Sequence, residues 1–148
     1  MSNVLEYNQL QKILPQAYPF VLLDRVTDFK AGEYLTAIKN ITANDCCGGD
    51  PLDDEPSAIF PEVFLIEAAA QAALVLYEVS KVKLGDRKPV YKFGQTKAEF
   101  IQSASIGNQL EIQTSATKMY DGLGYMDNSI YVKKDKIAEI RVLYSVER

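Results

Sequence analysis

The chain of 148 residues is long enough for one domain with a substantial core and too short for two. Its formal charge of −4 argues against nucleic-acid binding by bulk electrostatics. It contains no histidine, which excludes histidine general bases, Ser-His and Cys-His nucleophile pairs and His-ligated zinc. The two cysteines, Cys46 and Cys47, are adjacent, so we expect no disulfide and a reducing, cytoplasmic setting.

The first part of the chain is predicted to form one short helix and two strands. The helix covers about residues 5–14 and ends at Pro15, which cannot continue a helix. An apolar run predicts a strand over residues 21–26, and alternating apolar positions predict a second over residues 34–41.

A loop and a long helix come next. Gly, Pro and Asp dominate residues 44–57, as is typical of loops, and a helix is predicted over residues 61–83. The stretch 63–76 is apolar nearly all round, so we expect other elements to enclose it. It is too short to span a bilayer and carries two polar residues, so no membrane span is predicted.

The last part of the chain is predicted to be all strand. The segments end at turns rich in Gly or Lys and cover, in order, about residues 90–93, 98–100, 110–120, 125–133 and 137–146. Two strands, one enclosed helix and then several antiparallel strands are accounted for by one sheet curled around one helix.

Glu67 is the sharpest candidate for chemistry. It lies in the most apolar stretch of the chain, where we expect its carboxyl to be partly desolvated and protonated, as a general acid requires. Gln71 follows four residues later and so projects from the same helix face. A buried carboxyl that bonds only to backbone, or a solvated helix face, explains the pattern equally well.

Two charged segments have both a structural and a functional interpretation. Residues 50–55 hold four acids, which favours a solvated loop over a calcium site because the alternation of an EF-hand is missing. Residues 81–97 hold six basic residues and one acid. A helix end followed by a solvated loop is the favoured interpretation, and a docking patch for an acidic partner is the alternative.

Several blocks of the sequence resemble the FabZ-type 3-hydroxyacyl-acyl-carrier-protein dehydratases. The resemblance covers roughly residues 10–146, and its blocks are residues 13–26, 37–42, 64–73 and, more loosely, 97–100 and 106–110. It implies a single domain over residues 1–148 with the α+β hotdog fold, a long central helix wrapped by a curved antiparallel sheet. It also implies homodimers joined through their sheets, often as trimers of dimers, with active sites at the dimer interface.

The resemblance also implies a chemistry and a set of site residues. The family removes water from a 3-hydroxyacyl thioester on acyl carrier protein, using a His in the loop before the helix and a Glu on the helix. Glu67 matches that Glu, and Gln71 matches a position beside the site. Counted back without a gap, the His column falls on Asp53 and the family Gly at the helix start falls on Glu62, whereas Pro61 is kept.

Other family positions also differ here. The family His near the start of the chain is Gln16. The basic residues that follow Phe100 in many relatives, and that meet the carrier protein, are Ile101 and Gln102. The strand that holds Phe100 is expected to line the substrate tunnel.

Three functions remain open from the sequence. The first is a dehydratase without cofactor or metal, in which Asp53 takes the α-proton and Glu67 protonates the leaving hydroxyl. An insertion in the loop would put Asp54 or Asp50 in the place of Asp53. The second, equally favoured, is a non-catalytic relative that binds an acyl chain or pairs with an active paralogous dehydratase subunit. The third and least favoured is an acyl thioesterase in which Glu67 activates water.

Overall fold

The computed structural model describes residues 3–46, 59–81 and 90–147. In these residues the elements are, in chain order, α1 (Tyr7–Ile13), β1 (Arg25–Lys30), β2 (Tyr34–Asn40), a 3-10 turn (Ala43–Asp45), α2 (Glu62–Val79), β3 (Val90–Phe100), β4 (Gln109–Tyr120), β5 (Leu123–Val132) and β6 (Asp135–Glu147). The strands form one antiparallel sheet in the order β1-β2-β4-β5-β6-β3. The predicted α+β hotdog fold is confirmed, with β1 and β3 as the edges of the described sheet.

Helix α2 is enclosed as its sequence predicts. Every side chain from Ala68 to Tyr77 is buried, and the helix contacts β2, β4, β5 and β6. Many of these residues are alanines, whose small side chains let the sheet approach the helix closely. The first turns, up to Glu67, remain partly open, as do Glu78 and Val79 at the other end of the helix. The N-terminal end, called here the open end of α2, carries Glu67 and is where a site with this carboxyl can form.

Strand β3 corrects the prediction of two separate strands over residues 90–93 and 98–100. It runs without interruption from Val90 to Phe100 and pairs with β6 along its whole length. A bulge between Phe93 and Gln95 shifts the register. Gly94 and the polar residues after it suggested a break, but pairing with β6 keeps the segment extended.

The first strand is also shifted from its predicted position. The apolar run 21–26 predicted a strand there, but β1 begins at Arg25. Val21, Leu22 and Leu23 are buried in the core without belonging to the sheet. Their apolar side chains pack inside, and a side chain of α2 accepts the hydrogen bond of the Leu22 backbone N–H.

None of the described helices combines the length and the apolar character needed to cross a membrane.

Candidate active site

The carboxyl of Glu67 is held by one of its two oxygens. Its Oε1 accepts hydrogen bonds from Gln16 Nε2 and from Gln71 Nε2, each 3.0 Å long. From the described part of the chain, no hydrogen bond reaches Oε2. The side chain is half-buried near the open end of α2. Two amides thus fix the carboxyl and leave Oε2 as the oxygen that can exchange a proton with a ligand.

Gln71 holds this arrangement in place through its hydrogen bonds. It is fully buried, and its Oε1 accepts a hydrogen bond from the backbone N–H of Leu22 at 2.8 Å. Its Nε2 donates to the carbonyl of Phe20 at 2.8 Å and to Glu67. The side chain therefore ties the irregular segment before β1 to α2, and it orients Glu67 from beneath. These contacts favour a positioning role for Gln71 over direct contact with a ligand.

Gln16 reaches Glu67 from the segment between α1 and β1. Its Nε2 donates a hydrogen bond to Glu67. Its Oε1 is buried and has no hydrogen-bond partner among the residues that the structure describes. Buried polar atoms without a partner are uncommon in folded proteins. The sequence identified Gln16 only as the position of a family His, not as a site residue.

A cleft of about 260 Å³ opens beside Glu67. Residues of three segments line it, namely Phe20, Val63, Phe64, Ile66, Glu67, Phe93 and Thr96. The rings of Phe20 and Phe64 meet edge to face with their centroids 6.0 Å apart. Among these lining residues Glu67 alone is ionisable. An apolar, largely aromatic cleft with one carboxyl suits an aliphatic chain that carries a polar group.

The other predicted site residues lie at different distances from this cleft. Pro61 caps α2, and its carbonyl accepts a hydrogen bond from the Phe64 backbone N–H at 2.9 Å. Glu62 is exposed in the first turn, and Phe100 is half-buried at the far end of β3. Neither of them lines the cleft. Asp53 lies outside the described residues, as do the alternatives Asp50 and Asp54.

Phe20, Phe93 and Thr96 line the cleft, and sequence reasoning did not select them. Phe93 and Thr96 come from β3, where the bulge places both on the face toward α2. Dividing β3 into two strands left Thr96 in a presumed loop, where no facing direction can be assigned. If residues 90–100 had been predicted as one continuous strand with a bulge, the alternation of the strand would have assigned Thr96 to the same face as Phe93.

The basic segment 81–97 is only partly described, and its described members lie away from the cleft. Lys81 pairs with Glu78 at 2.8 Å, and Lys92 pairs with Glu147 at 2.8 Å. Lys97 lies in a groove on the outer face of the sheet with Tyr125 and Arg141. Lys92 and Lys97 therefore point away from the cleft beside Glu67, whereas Lys81 is largely buried at the end of α2 and offers little surface for docking.

An ion pair holds the chain just before the segment that contains Asp53. Asp45 ends the 3-10 turn and accepts a hydrogen bond from the Thr42 backbone N–H, while Lys39 Nζ pairs with it at 3.1 Å. Burial acts to raise the pKa of Asp45, but the bonds from Thr42 and Lys39 outweigh it and hold that pKa below its usual value. Among residues 3–46, 59–81 and 90–147, no group of three or more Cys, Asp or Glu is arranged to hold a metal ion.

Comparison with known proteins adds a family and a fold. A family model described as a FabA-like domain matches residues 14–141. The 3-hydroxyacyl-[acyl-carrier-protein] dehydratase FabZ of Buchnera aphidicola subsp. Acyrthosiphon pisum is 33% identical over 145 residues, which cover 98% of this chain and 95% of that protein.

Solved structures share the fold at much lower identity. The dehydratase heterocomplex ApeI:P from Xenorhabdus doucetiae aligns with a TM-score of 0.75 at 17% identity, over 94% of this chain and 91% of that chain. A thioesterase from Haemophilus influenzae aligns with a TM-score of 0.68 at 8% identity, over 97% and 92% of the two chains. Because dehydratases and thioesterases both use this architecture, the fold alone does not choose between their chemistries.

Proposed function

The chain belongs to the FabA-like domain family and is a relative of the FabZ dehydratases, and we propose from this that it acts as a dehydratase. Its reaction would be the removal of water from a 3-hydroxyacyl thioester of acyl carrier protein. The pathway would be the synthesis of fatty acids or of related lipids or polyketides, in the cytoplasm. The observation that carries the proposal is Glu67, whose carboxyl faces an apolar cleft with Oε1 held by two amides and Oε2 left open.

The reaction requires one proton to be taken and one to be given. A base removes the proton on the carbon next to the thioester carbonyl, the C–O bond at the third carbon breaks, and the hydroxyl leaves as water after receiving a proton. The product is an enoyl thioester, and no cofactor takes part. In our proposal Glu67 gives the proton through Oε2, and Asp53 takes the α-proton.

The second carboxylate has to come from outside the residues that line the cleft. Glu67 is the only ionisable residue among them, and in our proposal the base comes from residues 47–58 of the same chain or of a second copy. A carboxylate is a weaker base than imidazole, and we expect turnover to be slower than in relatives that use His. Asp53 is the first candidate for this base.

We propose a homodimer, or a trimer of dimers, as the assembly. Strand β3 is an edge of the described sheet and carries exposed apolar residues, with Val90 at 55% and Phe93 at 51% exposure. An edge strand of this kind is a template for pairing with a second copy. A paralogous dehydratase subunit is the alternative partner, and the neighbour ApeI:P is itself described as a dehydratase heterocomplex.

Two other functions are supported by specific observations. The absence of His and the acidic loop favour a non-catalytic subunit that binds an acyl chain or stabilises a partner. Glu67 in a hotdog fold also suits an acyl thioesterase, in which the carboxylate activates water. Each function predicts a different change in the mass of an acylated carrier protein.

The decisive test is the mass of a 3-hydroxyacyl carrier protein followed over time with the purified chain. We expect loss of one water, and we expect Glu67→Gln to abolish it, because the amide cannot give a proton. Glu99→Gln, the same change at an exposed position on β3 that does not line the cleft, is the matched control and should keep the activity. Loss of the whole acyl group would indicate a thioesterase, and an unchanged mass across several chain lengths would contradict catalysis.

The same assay tests the second carboxylate. Asp53→Asn should slow the loss of water by about 100-fold or more, the usual effect of removing a general base. Asp54→Asn is the matched control in the same loop. If only Asp54→Asn or Asp50→Asn slows the reaction, the base is that residue and the loop contains an insertion relative to the family.

A further inference from the structure

Two buried side-chain atoms lack a hydrogen-bond partner among the described residues, Gln16 Oε1 and Thr96 Oγ1. Both belong to the surroundings of the cleft, since Gln16 donates to Glu67 and Thr96 lines the cleft with it. A buried polar atom left unpaired destabilises the fold unless water or a ligand satisfies it.

The interior of the sheet shows that this chain satisfies buried polar groups where no ligand is needed. Thr114 and Asn128 are both buried on neighbouring strands. Thr114 Oγ1 donates to Asn128 Oδ1 at 2.6 Å, and Asn128 Nδ2 donates to the carbonyl of Ile140 at 3.0 Å. The unpaired atoms at the cleft therefore point to an external partner.

The chemistry of the unpaired atoms defines that partner. Gln16 Oε1 is an acceptor, whereas the Thr96 hydroxyl and Glu67 Oε2, in the protonated form that the proposed acid requires, can each donate a hydrogen bond to a ligand. An aliphatic ligand suits the aromatic walls, but a saturated chain offers no donor. A hydroxyl on the chain offers one donor and two acceptor positions, which matches this set.

We propose that Gln16 and Thr96 recognise the hydroxyl of a 3-hydroxyacyl ligand. Gln16 Oε1 accepts the hydrogen bond of that hydroxyl, and the Thr96 hydroxyl donates to its oxygen. The two residues make the cleft select hydroxyacyl over saturated acyl chains, and they place the hydroxyl beside Glu67 Oε2. The ligand class rests on the proposed function, whereas the selectivity is a property of binding and does not require turnover.

The roles of the two residues are separable by mutation. Gln16→Met removes both the acceptor for the ligand and one donor to Glu67, so it is expected to affect binding and the orientation of the carboxyl. Thr96→Val removes only a hydroxyl, at nearly unchanged side-chain volume, and leaves the hydrogen bonds of Glu67 intact. Thr96→Ser retains the hydroxyl and serves as the conservative variant.

The test measures binding with ligands that cannot react. The probes are an α,α-difluoro-3-hydroxyacyl amide of pantetheine and its partner without the hydroxyl, titrated calorimetrically into the full chain. The first has no α-proton to lose and neither has a thioester to cleave. We expect the hydroxylated probe to bind about 10-fold tighter, the ratio typical of one or two hydrogen bonds. Thr96→Val and Gln16→Met should each reduce this ratio to about 2-fold, while Thr96→Ser keeps it.

Controls and contrary outcomes complete the test. Gln95→Met, on the exposed outer face of β3, should leave the ratio unchanged. A ratio near one in the unaltered chain, binding of neither probe, or an unchanged ratio in both variants would overturn the inference. If the ratio behaves as expected while the carrier-protein mass never changes, recognition stands and the dehydratase proposal fails. If water is lost while both variants keep the ratio, only the recognition inference fails.

Discussion

At the level of single residues, Gln71 explains why a polar side chain stands in the middle of an apolar helix. It is fully buried and makes three hydrogen bonds, two to the backbone of the segment before β1 and one to Glu67. From the sequence it was indistinguishable from a ligand-binding residue. Its contacts show that it connects two parts of the chain and that the orientation of Glu67 depends on that connection.

Replacing Gln71 by Leu should therefore destabilise the fold although it adds an apolar side chain to the core. Leu22 N–H and Phe20 C=O would lose their partner, and we expect the free energy of unfolding to fall by about 2–4 kcal/mol. Urea unfolding measures this change. Gln113→Leu, on the exposed side of β4, is the matched control and should change stability little. Equal stability of the Gln71→Leu chain would contradict the role given to the amide.

At the level of helices, strands and turns, the ion pair between Lys39 and Asp45 joins β2 to the 3-10 turn that follows it. Lys39 is 7% exposed, and Asp45 satisfies it while also closing the turn through Thr42. Such a charge is buried only because it is paired. The turn thus fixes where the chain leaves the sheet before residue 47.

This ion pair predicts that the stability of the fold depends on pH. The pKa of Asp45 is lower in the folded chain than its usual value of 3.8, so the pair stabilises the fold above that value. The stabilisation is lost as the pH falls through the folded-state pKa. We expect Asp45→Asn to lower the free energy of unfolding by about 1–2 kcal/mol near neutral pH, and to change it little in strong acid. Urea unfolding at several pH values measures it, and a cost independent of pH would contradict the assignment.

The edge strand β3 shows how one element serves two purposes. Its inner face supplies Phe93 and Thr96 to the cleft, whereas its outer face carries Lys92 and Lys97. The alternation of a strand separates these two sets, with the bulge at Gly94 resetting the phase. A substitution on one face of β3 can therefore be compared with a control substitution on its other face.

At the level of the whole protein, the open end of α2 and the edge strand leave apolar side chains uncovered. Val63 is 62% exposed and Phe93 is 51% exposed, and both line the cleft. Clustered exposed apolar residues of this kind usually mark an interaction surface. A second copy placed along β3 would cover part of this surface and bring its own residues near Glu67.

We therefore expect the chain to sediment as a dimer or a larger assembly, and Phe93→Glu to shift it toward monomer by placing a charge in the apolar surface. Lys92→Glu changes a charge on the same strand but on the outer face, and it should leave the assembly intact. Sedimentation velocity measures both variants at several concentrations. A monomer in the unaltered chain would contradict the proposed assembly.

Local patterns along the chain were sufficient to predict the enclosed helix, the antiparallel sheet, the family and the position of Glu67. These patterns are an apolar run too long and continuous for a surface helix, alternating strands and blocks of residues shared with relatives. The absence of histidine restricts the chemistry by composition alone. The strand boundaries were displaced at β1 and within β3, because tertiary pairing overrides local propensity there.

The surroundings of the Glu67 carboxyl, by contrast, depend on tertiary contacts. Gln16 and Phe20 come from the segment between α1 and β1, Glu67 from α2 and Thr96 from β3. No pattern along the sequence relates an amide after α1 to a hydroxyl on an edge strand. Hydrogen bonds between side chains depend on positions in space, which the packing of α2 against the sheet fixes. The sequence therefore identified Glu67 as a candidate acid, and the fold supplied the hydrogen-bond partners of its carboxyl.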